Sequence, residues 1–91
     1  MRFEWDSEKA EKNLKKHGIS FQEAIGVFYD DARIEMFDSQ HSIEEDRYIA
    51  VGRVRNVLFV VFVERTNSIR LISARIATRK EEEMYYGNSI L

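Results

Sequence analysis

Apolar and polar positions follow two different periods along this chain, and the change of period divides it into a helical part and a strand-rich part. Before residue 31 one stretch has apolar side chains at i, i+3, i+4 and i+7, which places them on one helix face: Phe21, Ala24, Ile25 and Phe28. From Arg33 onward the apolar positions form short runs rich in branched and aromatic residues, which is typical of β-strands. The pattern predicts an α+β fold.

Capping residues locate the first helix. Asp6 can cap its N-terminus, Glu8 lies near the positive end of the helix dipole, and Gly18 can adopt the left-handed conformation that ends a helix. The last turn is basic, with residues 15–17 reading Lys-Lys-His. We therefore predict a helix between Asp6 and Gly18.

Two further helices carry a capping box, in which a hydroxyl residue is followed three positions later by a glutamate. Ser20 and Glu23 open the second helix, and Thr78 and Glu81 open the last one. The second helix is predicted to end at residues 29–31. The last is predicted to run through residues 85–86 and to stop at Gly87.

Four strands are predicted between these helices, over residues 33–37, 46–53, 57–65 and 69–77. The segment 57–65 is apolar on both faces, which indicates a central strand covered on both sides. The predicted order is ααββββα, an antiparallel four-stranded meander flanked by helices. Ninety-one residues are enough for one domain with a modest core, so we assign residues 1–91 to a single domain.

Composition excludes several classes of protein. The chain has no cysteine, which excludes disulfides, thiolate metal sites and a cysteine nucleophile. No window approaches the ~20 apolar residues of a membrane span. The first residues are charged and lack the apolar core of a signal peptide, so a cytoplasmic location is predicted. No glycine-rich phosphate loop is present and no cofactor is predicted.

Charge is distributed unevenly. The chain has a net charge of −2, yet the segment 47–80 contains eight basic residues, seven of them arginine, against the single acid Glu64. Arginine within a sheet is favoured when its planar fork of donors has an anionic partner. The residues predicted to bind RNA phosphates are Lys16, Arg53, Arg65, Arg70 and Arg79.

Two-residue turns at 55–56 and 67–68 would fix the strand register. Arg47 would then lie opposite Glu64 and Glu64 opposite Leu71, on a face that also holds Arg53, Ser73 and Arg75. The opposite face would form the core, and its predicted members are Ala50, Phe59, Val61, Val63, Ile72, Ala74 and Ile76. A slip of one residue would exchange the two faces.

This predicted face contains the groups needed to cleave RNA. The 2′-hydroxyl of RNA is the nucleophile, so an enzyme must supply a base, cations for the charge on phosphorus, and a proton donor. Glu64 is a candidate base, Arg47 and Arg75 are candidate cations, and a histidine such as His17 or a tyrosine is a candidate donor. Alternatively, Arg47 and Glu64 form an ordinary cross-strand ion pair.

Other charged groups have two interpretations as well. In the predicted register Arg65 and Arg70 lie opposite each other beside Asp46, so they form an anion site or are neutralised by Asp46. His17 is typical of a residue that stabilises the end of a helix dipole. His41 lies in a polar loop near Glu44, but the loop lacks the ligand spacing of a metal site, and no metal is predicted.

Several motifs resemble those of one family, the BrnT-type toxins. They occur in the family's order over nearly the whole chain and comprise Phe3-Glu4-Trp5-Asp6, Asn13-Leu14-Lys15-Lys16-His17-Gly18, Ser20-Phe21-Gln22-Glu23-Ala24, Glu45-Asp46-Arg47, Gly52, Ile69-Arg70-Leu71-Ile72-Ser73-Ala74-Arg75, Thr78, Glu81 and Tyr85. The blocks KHG-x-x-F and IR-x-ISAR are the most specific.

The resemblance implies a RelE-like fold and a metal-independent ribonuclease. It also implies an operon-encoded antitoxin that occludes the active face and, together with the toxin, represses transcription at operator DNA. The family pattern covers Lys16, His17, Arg47, Glu64, Arg70 and Arg75. The sequence leaves two functions open. One is a toxin that cleaves RNA, and the other is a non-catalytic interaction module whose arginine face docks an acidic segment of a partner.

Overall fold

The α+β class is confirmed by a computed structural model, which describes residues 1–90. The elements are β1 (Phe3–Glu4), α1 (Ser7–His17), α2 (Phe21–Ala24), a 3₁₀ segment (Ile25–Tyr29), β2 (Ile34–Phe37), β3 (Tyr48–Arg53), β4 (Val57–Glu64), β5 (Ile69–Ile76) and α3 (Arg79–Ile90). Across these residues the strands form one sheet in the order β1-β5-β4-β3-β2. None of the described helices is long and apolar enough to span a membrane.

The sheet has five strands where four were predicted, because the prediction missed β1. The strands β2 to β5 pair antiparallel as expected, but β1 adds a fifth strand that pairs parallel with β5, with Phe3 beside Ile69 and Glu4 beside Arg70. A strand of two residues is too short to give a periodic signal. Its position depends instead on tertiary contacts, such as the bond from the Ile69 amide to the Arg2 carbonyl at 2.8 Å.

The predicted helix starts are confirmed. Asp6 accepts a hydrogen bond from the Glu8 amide, and Gly18 ends α1 in the left-handed conformation with φ of 72°. The hydroxyl of Ser20 accepts a hydrogen bond from the Glu23 amide and opens α2. Only one turn of α2 is regular, because the chain tightens into the 3₁₀ segment at Ile25.

The capping box of α3 is complete. The Glu81 amide donates to the Thr78 hydroxyl at 3.2 Å, and the Thr78 amide donates to the Glu81 carboxylate at 2.8 Å. The predicted stop at Gly87 is wrong, since α3 continues to Ile90. Glycine inside a helix costs only about 0.8–1.0 kcal/mol relative to alanine, so it does not by itself end one.

The predicted register of β3 and β4 is wrong by one residue. Arg53 lies opposite Val57, so the turn contains three residues and is closed by a bond from the Val54 amide to the Asn56 carbonyl at 3.1 Å. Tyr48 consequently lies opposite Phe62. Arg47 therefore does not face Glu64.

The predicted register of β4 and β5 is also wrong. Glu64 lies opposite Ile69 instead of Leu71, and Arg70 lies opposite Val63 instead of Arg65. A bulge then interrupts the ladder, because Val61 and Phe62 pair with Ser73 and Leu71 and leave Ile72 as the extra residue.

These shifts exchange part of the predicted core. The main core lies on the sheet face covered by α1 and α2, and its fully buried strand residues are Ala50, Leu58, Val60, Phe62, Leu71 and Ala74. Only Ala50 and Ala74 belonged to the predicted set. Phe59 packs instead in a second cluster with Val51, Val57 and Tyr85 on the α3 side. A one-residue slip has this effect because strand side chains alternate between faces.

Asn13 fixes α1 along the edge of β5. Its side-chain amide donates to the Ala74 carbonyl at 2.8 Å and to the Ile19 carbonyl at 3.0 Å, while its oxygen accepts from the Ala74 amide at 3.1 Å. Because β1 pairs only with the start of β5, Asn13 satisfies backbone groups that a neighbouring strand would otherwise pair. This buried contact was not predicted.

Candidate functional site

The predicted arginine face does not assemble. Glu64 follows Phe62 in alternation and so belongs to the face that α1 and α2 cover, whereas Arg75 lies opposite Phe59 on the other face. Glu64 is exposed at the end of β4, and its side chain forms no hydrogen bond or ion pair with any residue that the structure describes. Glu64 and Arg75 therefore cannot act on one phosphate.

Arg75 attaches α3 to the sheet. Its guanidinium donates to both carboxylate oxygens of Glu81, at 2.8 and 3.0 Å, and lies 4.0 Å from the centre of the Phe59 ring. The hydrogen bond from Arg75 lowers the pKa of Glu81 despite the opposing effect of burial. In this arrangement the fork of Arg75 already has its anionic partner.

A second polar contact holds α3. The Tyr85 hydroxyl donates to Asp30 at 2.6 Å, and the same carboxylate oxygen accepts from the Arg53 amide at 2.7 Å. Burial by itself would raise the pKa of Asp30, but the hydrogen bonds from Tyr85, Arg53 and Ala32 outweigh it and the pKa is lowered. Burial and the bond to Asp30 raise the pKa of Tyr85 to about 12. The side chain of Arg53 is not the donor here.

The other predicted phosphate-binding arginines have acidic neighbours. Arg65 lies 2.9 Å from Glu45 and 3.9 Å from Glu4, and Arg70 lies 3.8 Å from the other oxygen of Glu4. The prediction that Asp46 neutralises the pair is wrong, because Glu4 and Glu45 occupy that position. Arg79 pairs along α3 with Glu83 at 3.5 Å and is almost fully exposed.

Arg47 lies in a pocket of about 400 Å³, which we call the loop pocket; it is lined by His41, Ile43, Glu44, Glu45 and Arg47. Backbone and hydroxyl bonds close the loop around it. The Asp38 amide donates to the Arg47 carbonyl at 2.9 Å, the Ser42 hydroxyl donates to the Asp38 carbonyl at 2.6 Å, and the Arg47 amide donates to the Ser42 hydroxyl at 2.9 Å. These bonds bring both ends of the loop together at the start of β3.

His41 lines the loop pocket and is bound to Asp38. Nδ1 of His41 lies 3.0 and 3.2 Å from the two oxygens of Asp38. The Asp38 side chain is only 11% exposed and that of His41 is 65% exposed. Because Asp38 holds Nδ1, the other ring nitrogen, Nε2, is available to a substrate.

Charged groups of both signs meet in this pocket. Glu45 is bound to Arg65, but the side chains of Glu44 and Arg47 have no hydrogen-bond or ion-pair partner within the described part of the chain. The pocket thus contains an oriented imidazole, an unpaired carboxylate and an unpaired guanidinium. The Asp38–His41 pair was missed in the sequence because an Asp-x-x-His spacing outside a helix gives no periodic signal.

The structure brings Lys16 and His17 together in a second depression, of about 210 Å³. We call it the helix groove; it lies between α1 and β5 and is lined by Lys9, Lys12, Asn13, Lys16, His17, Ile72 and Ser73. None of these lining residues is acidic. His17 thus lies with lysines, far along the chain from the groups of the loop pocket.

No group of three or more His, Cys, Asp or Glu side chains among the described residues is arranged to hold a metal ion. His41, which lies near acidic residues in the sequence, is directed to Asp38 alone.

A comparison with known protein families identifies one family that matches most of the chain. The profile of a family described as the ribonuclease toxin BrnT of type II toxin–antitoxin systems matches residues 5–81. The chain belongs to the BrnT family. No curated protein matches this BrnT-family chain in sequence. The matched region contains the loop pocket and the helix groove.

Proposed function

We propose that this BrnT-family protein is the toxin of a type II toxin–antitoxin system and cleaves RNA in the loop pocket without a metal ion. The observation that carries the proposal is the Asp38–His41 pair beside the unpaired side chains of Glu44 and Arg47. RNA supplies its own nucleophile, so these groups are sufficient for the chemistry. Membership of a ribonuclease family supports the same reaction.

Each group of the loop pocket has one step in the proposed reaction. Glu44 accepts the proton of the 2′-hydroxyl while the 2′-oxygen forms a bond to phosphorus. The bond from phosphorus to the 5′-oxygen breaks, and His41 Nε2 donates a proton to that oxygen. Arg47 stabilises the negative charge that develops on the phosphoryl oxygens. The products are a 2′,3′-cyclic phosphate and a 5′-hydroxyl.

This assignment retains Arg47 as the cation and changes the other catalytic residues. Glu64 lies on a different sheet face from Arg75, and Arg75 is bound to Glu81. His17 has lysines and no carboxylate around it in the helix groove. A general base needs an acceptor near the 2′-hydroxyl, and Glu44 is the unpaired carboxylate of the loop pocket.

Cleavage of labelled single-stranded RNA in excess EDTA tests the proposal. The wild-type protein should produce 2′,3′-cyclic phosphate ends, and an oligonucleotide with 2′-deoxyribose at the cleavage position should stay intact because it lacks the nucleophile. His41→Ala and Arg47→Ala should each lower the rate by roughly 10²–10³-fold, as expected for the loss of a proton donor or of one preorganised charge. His17→Gln serves as the histidine control at saturating RNA, where kcat should stay close to the wild-type value because His17 lines the helix groove and not the loop pocket.

The alternative function, an interaction module that docks an acidic segment, predicts a different outcome. It requires an acidic partner segment that displaces Glu81, because the guanidinium of Arg75 is already bound to that carboxylate. If RNA stays intact at a high concentration of the wild-type protein, the ribonuclease function is excluded and the interaction module remains. Full activity of folded His41→Ala would remove the loop pocket as the site of cleavage.

A further inference from the structure

We infer that the helix groove is a second RNA-binding site, which holds the phosphate backbone of the RNA through lysine side chains while cleavage occurs in the loop pocket. The inference rests on the proposed function for the identity of the ligand. It adds Lys9 and Lys12 to the predicted Lys16, and it gives the groove a role in binding that is distinct from proton transfer.

The spacing of the lysines on α1 directs them to one side. Lys9, Lys12 and Lys16 are at i, i+3 and i+7 and therefore share a helix face, which also contains Asn13. Asn13 binds β5, so this face is the one that adjoins the sheet edge. The fourth lysine of the helix, Lys15, pairs with Glu11 at 3.6 Å and does not line the groove.

The three lysines are available to an external anion. None of their ammonium groups forms a hydrogen bond or an ion pair with another residue in the described part of the chain. Most of the arginines in the sheet differ in this respect, since Arg65, Arg70 and Arg75 all have carboxylate neighbours. A cluster of unpaired like charges is unfavourable in the free protein and is relieved when an anion binds.

The opposite wall of the groove suits a nucleotide chain. Ile72 is the extra residue of the β5 bulge, and the bulge places Ile72 and Ser73 together on the groove wall. Ile72 offers an apolar surface to a sugar or base, and the Ser73 hydroxyl can donate to a phosphate oxygen. Lysine binds phosphate as a point charge without reading sequence. These features favour an RNA backbone over an acidic protein helix.

The charge of the whole chain makes such a local site necessary. The protein has a net charge of −2, so its overall field does not attract RNA. The attraction must come from a cluster whose spacing is short compared with the screening length of about 8–10 Å. The helix groove is such a cluster, since its neighbouring lysines are three and four residues apart on α1, which is about 4.5 and 6 Å of helix rise.

Binding of an uncleavable RNA tests the inference separately from catalysis. The probe is a fully 2′-O-methylated single-stranded oligonucleotide, titrated at several salt concentrations. Replacement of Lys9, Lys12 and Lys16 together by Gln should weaken binding roughly tenfold, as expected for three exposed charge contacts. The log–log salt slope should become shallower by about 2, at 0.7 per contact. The matched control combines Lys15→Gln, Arg55→Gln and Lys80→Gln, which also removes three positive charges.

A positive result has three parts: the groove variant loses affinity and slope, the control variant binds as wild type, and cleavage by the groove variant shows a raised KM with kcat nearly unchanged. If the wild-type protein does not cut RNA but the groove variant still binds RNA more weakly, RNA binding by the helix groove is supported and the proposed ribonuclease activity is refuted. Wild-type affinity and slope in the groove variant would overturn the inference, as would an equal loss in the control. Unchanged RNA binding with lost antitoxin binding would make the groove a protein interface instead.

Discussion

Asn13 occupies a position where a neighbouring strand would otherwise be needed. Its amide supplies one acceptor and two donor bonds to the backbone at Ala74 and Ile19, and the side chain is only 7% exposed. Few other residues can both donate and accept in this geometry. The position of α1, and with it the helix groove, depends on this contact.

Asn13→Asp should therefore destabilise the protein although its shape is nearly unchanged. A carboxylate cannot donate to the Ala74 and Ile19 carbonyls, and it would place a charge among acceptors, at a cost of roughly 2–4 kcal/mol. Urea unfolding measures the change. Asn67→Asp in the exposed turn between β4 and β5 is the control, and equal stabilities of the two variants would contradict this account.

Gly52 lies where there is no room for a side chain. A Cβ atom at this position would lie 2.8 Å from Val27 Cγ1 and 3.2 Å from the Val27 carbonyl oxygen. Gly52→Ala should lower the free energy of unfolding by about 1–3 kcal/mol, because backbone cannot move aside as a flexible side chain can.

The control is Gly87→Ala in α3, where nothing lies within 4 Å. This change should stabilise the protein by about 0.5–1 kcal/mol, since alanine is the better helix former. Thermal unfolding of both variants should thus give shifts of opposite sign. A stabilised Gly52→Ala protein would show that the strand and the 3₁₀ segment can separate at no cost.

At the scale of elements, the local signals in the sequence predicted the structure well. Asp6, Gly18, Ser20 and Thr78 act within a few residues of themselves, so the helix starts follow from the sequence. Register depends on the length of each turn. One additional residue at Val54 and the bulge at Ile72 moved Glu64 away from Arg47 and Arg75.

The candidate site was predictable only in part for a related reason. Arg47, Lys16 and His17 were identified by residue type, and the structure places each beside a pocket. The pairing of Asp38 with His41 arises from a loop closed by Ser42, and no periodic pattern specifies such a loop. Arg65 pairs with Glu45 of the loop before β3 and lies near Glu4 of β1, and Arg75 pairs with Glu81 of α3. Only the folded chain brings these groups together.

The attachment of α3 should depend on pH through Glu81. Its pKa is lowered in the folded protein by Arg75, so its contribution to stability is present above the ordinary value of 4.5 and is lost as the pH falls through the lowered pKa. Glu81→Gln keeps an acceptor for the Thr78 amide but loses the charged pair. It should cost roughly 1.5–3 kcal/mol at pH 7.

The difference between wild type and Glu81→Gln should then shrink as the pH is lowered below 4.5. Urea unfolding at a series of pH values measures it. Asp30 titrates in both proteins, so its lowered pKa makes both less stable in acid and cancels in the comparison. A difference that is constant from pH 7 to acid would exclude the charge of Glu81 as the cause.

At the scale of the whole molecule, acidic side chains pair with some of the cations and leave others without a partner in the described part of the chain. The ion pairs of Glu4, Glu45 and Glu81 neutralise arginines of the sheet, while the helix groove and Arg47 remain without partners among the described residues. Under the proposed function, these are the restricted places at which a mildly acidic protein would bind RNA. An antitoxin that covers those places would neutralise it without covering the whole surface.

The last prediction concerns that antitoxin, taken as the product of the neighbouring gene. If it covers the loop pocket or the helix groove, it should exclude the 2′-O-methylated RNA, so the apparent Kd for RNA should rise in proportion to free antitoxin. It should also stabilise the folded toxin by about 2.7 kcal/mol at 100 times its own Kd, which is roughly 10–20 °C in Tm for a domain of this size. His41→Ala, which removes only a proton donor, should show the same shift. A ternary complex with unchanged RNA affinity would mean that the antitoxin neutralises the protein from another surface.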